Sequence, residues 1–151
     1  MKAFQHSIVE LFDKEISHVW FGHGSALFLE LGKLTKAGLR KDGSNRNPKG
    51  EISIIVDFCW RIERKQSICL ASGESKIKID SSKKLLVGNT IIFAQAVGRL
   101  PELQLQFSNS LWLTTFSQYK GQPSWAILFN TKPRQAISVK NGKLHHEKLS
   151  A

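Results

Sequence analysis

Apolar and polar residues alternate most regularly between Ile52 and Ile62. Ile52, Ile54, Val56, Phe58, Trp60 and Ile62 share one parity, with Ser53, Asp57, Cys59 and Arg61 on the other. A period of two puts successive side chains on opposite faces of a strand, so this run predicts one long strand over 52–62 with a buried face. A turn at Glu63-Arg64-Lys65 would return the chain as a hairpin, bringing Trp60 opposite Ile68 and Cys59 opposite Cys69. The same alternation marks Leu103-Leu105-Phe107, the run Leu111–Phe116 after a Ser108-Asn109-Ser110 turn, and Trp125-Ile127-Phe129 after a break at Lys120-Gly121-Gln122-Pro123. Val139-Lys140-Asn141-Gly142-Lys143-Leu144 reads as a tight hairpin, because Asn-Gly readily takes the two positive φ values of a type I′ turn. Helical spacing is limited to Phe4, Ile8, Leu11 and Phe12 and to one or two turns over 81–86. Trp20, Trp60 and Trp125 are expected in the core.

The pattern reads twice. Leu11–Ile16 lies over Leu86–Ile91 at an offset of 75, Leu27–Leu31 over Leu103–Phe107 after one inserted residue, and Trp60-Arg61-Ile62 over Trp125-Ala126-Ile127 at 65. Apolar positions stay in step while surface loops vary in length, as expected of a repeated unit. The extra length falls in the loop 36–50, whose counterpart is placed near 116–123. The expected architecture is mainly β, bordering on α+β. It is a single domain over 1–151 with an internal repeat at 11–71 and 86–139, forming two pseudo-symmetric antiparallel β-meander halves with an N-terminal helix.

Composition adds charge to this scaffold. The 22 Lys+Arg outnumber the 12 Asp+Glu, for a formal net charge of +10. Residues 1–75 are nearly balanced, with 11 basic and 9 acidic side chains, whereas 76–151 hold 11 basic and only 3 acidic ones. Two clusters stand out: Lys33, Lys36, Arg40, Lys41, Arg46 and Lys49, and Lys132, Arg134, Lys140, Lys143 and Lys148. Such clusters attract phosphate backbones, anionic surfaces or acidic protein faces. No membrane-spanning apolar run occurs, and the N-terminal segment carries Asp13 and Glu15 where a secretion signal needs an apolar stretch, so a cytoplasmic location is expected. Cys59 and Cys69 are expected to be reduced.

Catalytic signals are weak. Gly22-His23-Gly24-Ser25 reads as a turn, without the G-x-S-x-G nucleophile elbow, and both phosphate-binding glycine motifs are absent. His145 and His146 would point to opposite faces of a strand, and His18 and His23 fit no ligand spacing, so neither a metal nor another cofactor is expected. Trp112, Phe116 and Tyr119 are candidates for stacking on single-stranded bases.

Leu86-Val87-Gly88-Asn89-Thr90-Ile91, then Glu102–Asn109, Leu111 and Trp125, resembles a pattern in small uncharacterised bacterial proteins. These have duplicated units with a Leu-x-Gly turn, a Leu-x-Leu-x-Phe strand and a Trp strand. The resemblance covers 85–130 well and 11–63 loosely, and it rests on apolar and turn positions. It implies a β scaffold and, since some such proteins are suspected of neutralising toxins, an immunity or accessory role. Immunity proteins against basic nucleases are usually acidic, and the +10 charge argues against that subclass. The expected function is non-enzymatic binding through protein–protein contacts with an acidic partner. The alternative is a nucleic-acid-binding module using loops 33–49 and 132–148, with Lys36, Arg40, Lys41, Arg46, Lys49, Lys132, Arg134, Lys140 and Lys143 as contact residues. A homodimer through an exposed strand edge is compatible with either.

Overall fold

A computed structural model describes residues 2–118, 120 and 124–149. Tyr119 and the Gly121-Gln122-Pro123 part of the expected break lie outside the described residues. Among the described residues eleven strands follow in chain order: β1 Ile16–Phe21, β2 Leu27–Leu31, β3 Ile52–Val56, β4 Trp60–Arg64, β5 Ser67–Ala71, β6 Ile91–Val97, β7 Glu102–Phe107, β8 Leu111–Thr115, β9 Trp125–Phe129, β10 Gln135–Lys140 and β11 Lys143–Lys148. Helix α1 (Lys2–Ser7) runs into a 3₁₀ turn (Ile8–Leu11) before β1; α2 (Lys76–Ser81) and α3 (Lys83–Leu86) precede β6. The protein is mainly β, with two antiparallel sheets ordered β1-β2-β3-β9-β10-β11 and β5-β4-β8-β7-β6.

The first three strands of each half form a meander, but the fourth and fifth cross to the other half's sheet. The registers show the resulting pseudo-two-fold relation. Val56 pairs with Trp125 between β3 and β9, and Thr115 pairs with Trp60 between β8 and β4. Near the centre a bridge joins Glu15 to Thr90. Around it Gly32 N–H donates to the Glu15 carbonyl and Ser108 N–H to the Thr90 carbonyl, both at 2.8 Å.

Strand exchange explains where the simplest reading of 52–62 fails. The inward parity survives on either side of a break, because Ile52, Ile54, Val56, Trp60 and Ile62 are all buried, whereas Phe58 between them is only half-buried and outside the core. The run is nevertheless two strands, interrupted at Asp57-Phe58-Cys59, where the chain leaves one sheet for the other. Alternation records which side faces the core, and both sheets share that core, so crossing between them leaves the pattern intact. The following turn is Lys65-Gln66, not three residues, and a bulge between Ile62 and Glu63 sets Ile62 against Leu70 and Glu63 against Ile68. Trp60 therefore does not face Ile68, Cys59 lies beyond the ladder from Cys69, and both thiols are free. The Asn141-Gly142 turn is as expected, with φ of 51° and 76° and Lys140 opposite Lys143.

Trp60 and Trp125 fill the core. Trp20 does not: its parity puts it on the outer face of the first sheet, half-buried and stacked on Phe28 at 3.7 Å. The helical segments cover the core with Phe4, Ile8, Leu11, Ile79 and Leu86. The second begins at Lys76, five residues before the expected start, with the Ser75 hydroxyl accepting from Lys78 N–H as its N-cap.

Candidate functional site

Between β2 and β3 the chain leaves the first sheet and returns as an arm, residues 32–51. Its counterpart is the Ser108-Asn109-Ser110 turn between β7 and β8, not the stretch near 116–123, which joins β8 to β9 and corresponds to Asp57-Phe58-Cys59. The arm is built, not slack. Thr35 and Lys49 exchange backbone hydrogen bonds of 2.8 and 3.0 Å, and Leu39 bridges Asn45 further out. Arg40 donates to the Asn45 carbonyl and Arg46 to the Leu39 carbonyl, so both guanidinium groups brace the tip. Asp42 closes the turn by accepting from the Ser44 amide at 2.9 Å and its hydroxyl at 2.6 Å.

A buried polar clamp holds the base. Glu30, 2% exposed, accepts from Gly50 N–H at 3.0 Å and from the Ser53 hydroxyl at 2.5 Å. Asn130 donates to the Gly50 carbonyl and to Ser53 Oγ, both at 2.9 Å. Gly50 is required by close approach: a Cβ there would overlap the Leu31 carbonyl oxygen and lie 2.6 Å from the Leu31 nitrogen. Asn47 then folds over the outer sheet face to meet His18, Nε2 to Oδ1 3.0 Å. None of Glu30, Ser53, Asn130 or His18 stood out in the sequence as a site residue. The available signal was Glu30, a lone carboxyl in the apolar run Leu27–Leu31.

The sheet order sorts the predicted basic residues. β2 ends, β3 begins, β9 ends and β10 begins at the same end of the first sheet. Lys132 and Arg134, between β9 and β10, therefore share that end with the arm's Lys36, Arg40, Lys41, Arg46 and Lys49, and Lys148 joins them opposite Gln135. Lys140 and Lys143 do not. They flank the Asn141-Gly142 turn at the other end of β10, about 17 Å away at ~3.4 Å per residue. Lys140 is also ion-paired with Glu147 at 3.1 Å. The second cluster, continuous in sequence, is thus split by its hairpin. Trp112 and Phe116 stand apart from the arm, with Trp112 edge-on to Phe93 on the outer face of the second sheet and Phe116 exposed beyond β8. Among the described residues no group of three His, Cys, Asp or Glu side chains could hold a metal ion. No helix among them is long and apolar enough to cross a membrane.

Comparison with protein-family models, curated proteins and solved structures gave no match. The chemistry of the basic end therefore rests on its own residues.

Two carboxyls carry electrostatic information. The Ser44 hydroxyl and amide, helped by Arg40, hold Asp42 below the usual carboxylate range. The Lys33 N–H, 2.8 Å from Glu51 Oε2, and Lys14 Nζ, 3.7 Å from Oε1, do the same for Glu51. A carboxyl with a depressed folded pKa contributes stability above its unfolded pKa, and loses it as pH falls through the folded value. Acidification below the ordinary glutamate range should therefore release the arm's base at Lys33. In an NMR titration the Lys33 amide should shift with a midpoint below that of an ordinary glutamate, and Glu51→Gln should abolish the transition. A midpoint at or above the ordinary value would contradict this assignment.

Proposed function

We propose that the protein is a non-enzymatic binding protein whose basic arm docks on an acidic surface of a protein partner. The observation that carries this reading is an ordered projection, clamped at its base, that presents Lys33, Lys36, Lys41 and Lys49 without ion-pair partners among the described residues. Asp42, the acidic side chain at its tip, is engaged by Ser44. Leu39, 63% exposed, stands among these cations and offers an apolar contact that a phosphate backbone would not use. Preorganisation supports specific docking, since little conformational freedom is left to lose on binding. A partner of the toxin class suspected for the resembling bacterial proteins fits if it is acidic; a basic nuclease does not. The cytoplasm, with Cys59 and Cys69 reduced, is the compartment we assign.

Nucleic acid is the second reading, favoured by the gathering of Lys132, Arg134 and Lys148 beside the arm. The separation of Trp112 and Phe116 from that end weighs against joint stacking and phosphate binding.

Lys36→Glu, Lys41→Glu and Lys132→Glu test both readings, because none of these side chains braces the arm. Partner protein co-purified from the source organism should be acidic, and the triple variant should bind it about a hundredfold more weakly, with an unchanged urea midpoint. Lys143→Glu should have no effect. If no protein co-purifies, and a duplex oligonucleotide binds with a steep salt dependence that the triple variant removes, nucleic acid replaces the protein partner.

A further inference from the structure

The two sheets differ at one edge. β10, the fifth strand of the second half, is covered along its length by β11 through the Asn141-Gly142 turn. β5, the fifth strand of the first half, occupies the equivalent place in the other sheet but ends it, because after Ala71 the chain turns away into α2. Among the described residues, the backbone groups of Ser67, Ile68, Cys69 and Leu70 make no hydrogen bonds outside the pairing with β4. The strand reads Ser-Ile-Cys-Leu-Ala, with Ile68 59% exposed. Edge strands are ordinarily protected by charge, and β11 has Lys143, Glu147 and Lys148. β5 has no such side chain.

We propose that β5 is a strand-addition site, independent of the basic arm, that takes an extended segment of a partner protein with acidic flanks as a sixth strand of the second sheet. Successive side chains of an added strand point to opposite faces, and each face has a hollow beside β5. On one side a groove of about 180 Å³ runs between Cys69 and Leu70 and the helical residues Lys78, Lys84 and Leu85, with Glu74 just before α2 at its rim. On the other, a hollow of about 300 Å³ lies among Cys59, Arg61, Ile68 and Phe116. Unpaired ladder groups supply affinity, and the two hollows supply selection at alternate positions.

Charge identifies the occupant. Around β5, Arg61 is paired with Glu63 at 2.7 Å, Lys78 with Glu74 at 3.5 Å and Lys83 with Asp80 at 4.0 Å. Arg64 at the end of β4 and Lys65 in the turn before β5, and Lys76 and Lys84 on the helical side, have no ion-pair partner among the described residues. Acidic residues flanking the added strand complement these four cations. A second copy, pairing β5 with β5 about a two-fold axis, would set the same cations against themselves.

A displayed library of random decapeptides, selected on the intact protein, tests the proposal. Selected peptides should alternate apolar and polar residues between Asp or Glu flanks, and their binding should slow hydrogen exchange at the Ile68 and Cys69 amides. Ile68→Pro should weaken that binding by about tenfold or more, the loss of one or two ladder hydrogen bonds, while the arm triple variant should leave it unchanged. Should Ile68→Pro shift the urea midpoint, Ile68→Lys serves instead, because an edge lysine disfavours strand addition without removing an amide. Failure to enrich any sequence, enrichment of basic flanks, or affinity insensitive to both substitutions would overturn the proposal. A concentration-dependent dimer abolished by Ile68→Lys would overturn it too, in favour of a second copy. The arm reading survives each of these outcomes, since its partner is read separately.

Discussion

Trp60→Ala and Trp125→Ala should each remove about 3–5 kcal/mol of folding free energy, a large part of the 5–15 kcal/mol typical of a domain. Both indoles are 1% exposed, and each ties its own sheet to a hairpin of the other. Trp60 Nε1 donates to the Ser25 carbonyl in the β1–β2 connection at 2.7 Å, and Trp125 Nε1 to the Pro101 carbonyl in the β6–β7 connection at 3.1 Å. Aromatic neighbours add to the packing: Phe21 stacks on Trp60 at 5.9 Å, and Phe4 meets Trp125 edge-on at 6.1 Å. Alanine leaves a cavity and an unpaired carbonyl at either site. Phenylalanine keeps much of the volume and loses only the donor, so Trp60→Phe and Trp125→Phe should each lose less than their alanine counterparts, with about 1 kcal/mol from the hydrogen bond. Urea unfolding followed by circular dichroism measures all four. An alanine variant within about 1 kcal/mol of the parent would show that its indole is not a tie between the sheets.

Glu30→Ala should cost about 2–5 kcal/mol and free the arm from the sheet, because the Gly50 amide and the Ser53 hydroxyl would both be left in a buried place without their acceptor. The site cannot rescue itself easily. Asn130, the nearest polar group, already uses its amide to donate to Gly50 and Ser53. Glu30→Gln retains a carbonyl oxygen of similar reach and should keep most of the stability. Hydrogen exchange separates the local from the global effect. In Glu30→Ala the amides of Thr35 and Lys49 should lose protection beyond the loss seen in the sheets, whereas in Glu30→Gln they should remain close to the parent. Equal stability of Glu30→Ala and the parent would mean that the clamp does not hold the arm.

The distribution of charge sharpens what these variants test. Because the clamp is spatially separate from Lys36 and Lys41, loosening the arm and reversing its charge are distinguishable manipulations. The first removes preorganisation and the second removes attraction. A partner that needs the shape of the arm should respond to Glu30→Ala, and one drawn only by charge should not.

Legibility in the sequence depended on whether a feature was local. Strand parity, the Asn141-Gly142 turn and the matching of Trp60 with Trp125 are set by neighbouring side chains and by which positions must leave water, and these were readable. Trp20 was not, since an aromatic side chain on a half-covered outer face looks the same in sequence as one in the core. The basic residues divided similarly. Their exposure was foreseeable from charge, but the hairpin that sends Lys140 and Lys143 away from Lys132 and Arg134 assigns each to an end of the sheet.

The sequence by itself determined the inward and outward sides of the strands, the repeated order of apolar positions and an excess of cations at the surface, all consequences of local geometry and of the cost of exposing apolar area. Only the tertiary structure decided that the halves exchange strands at Asp57-Phe58-Cys59, that Glu30, Ser53 and Asn130 meet beneath Gly50, and that β5 is left without the neighbour that β10 has in β11. These outcomes depend on which distant strands pair, and alternation alone does not encode a strand's partner: two sheets that share one core impose the same pattern on either choice.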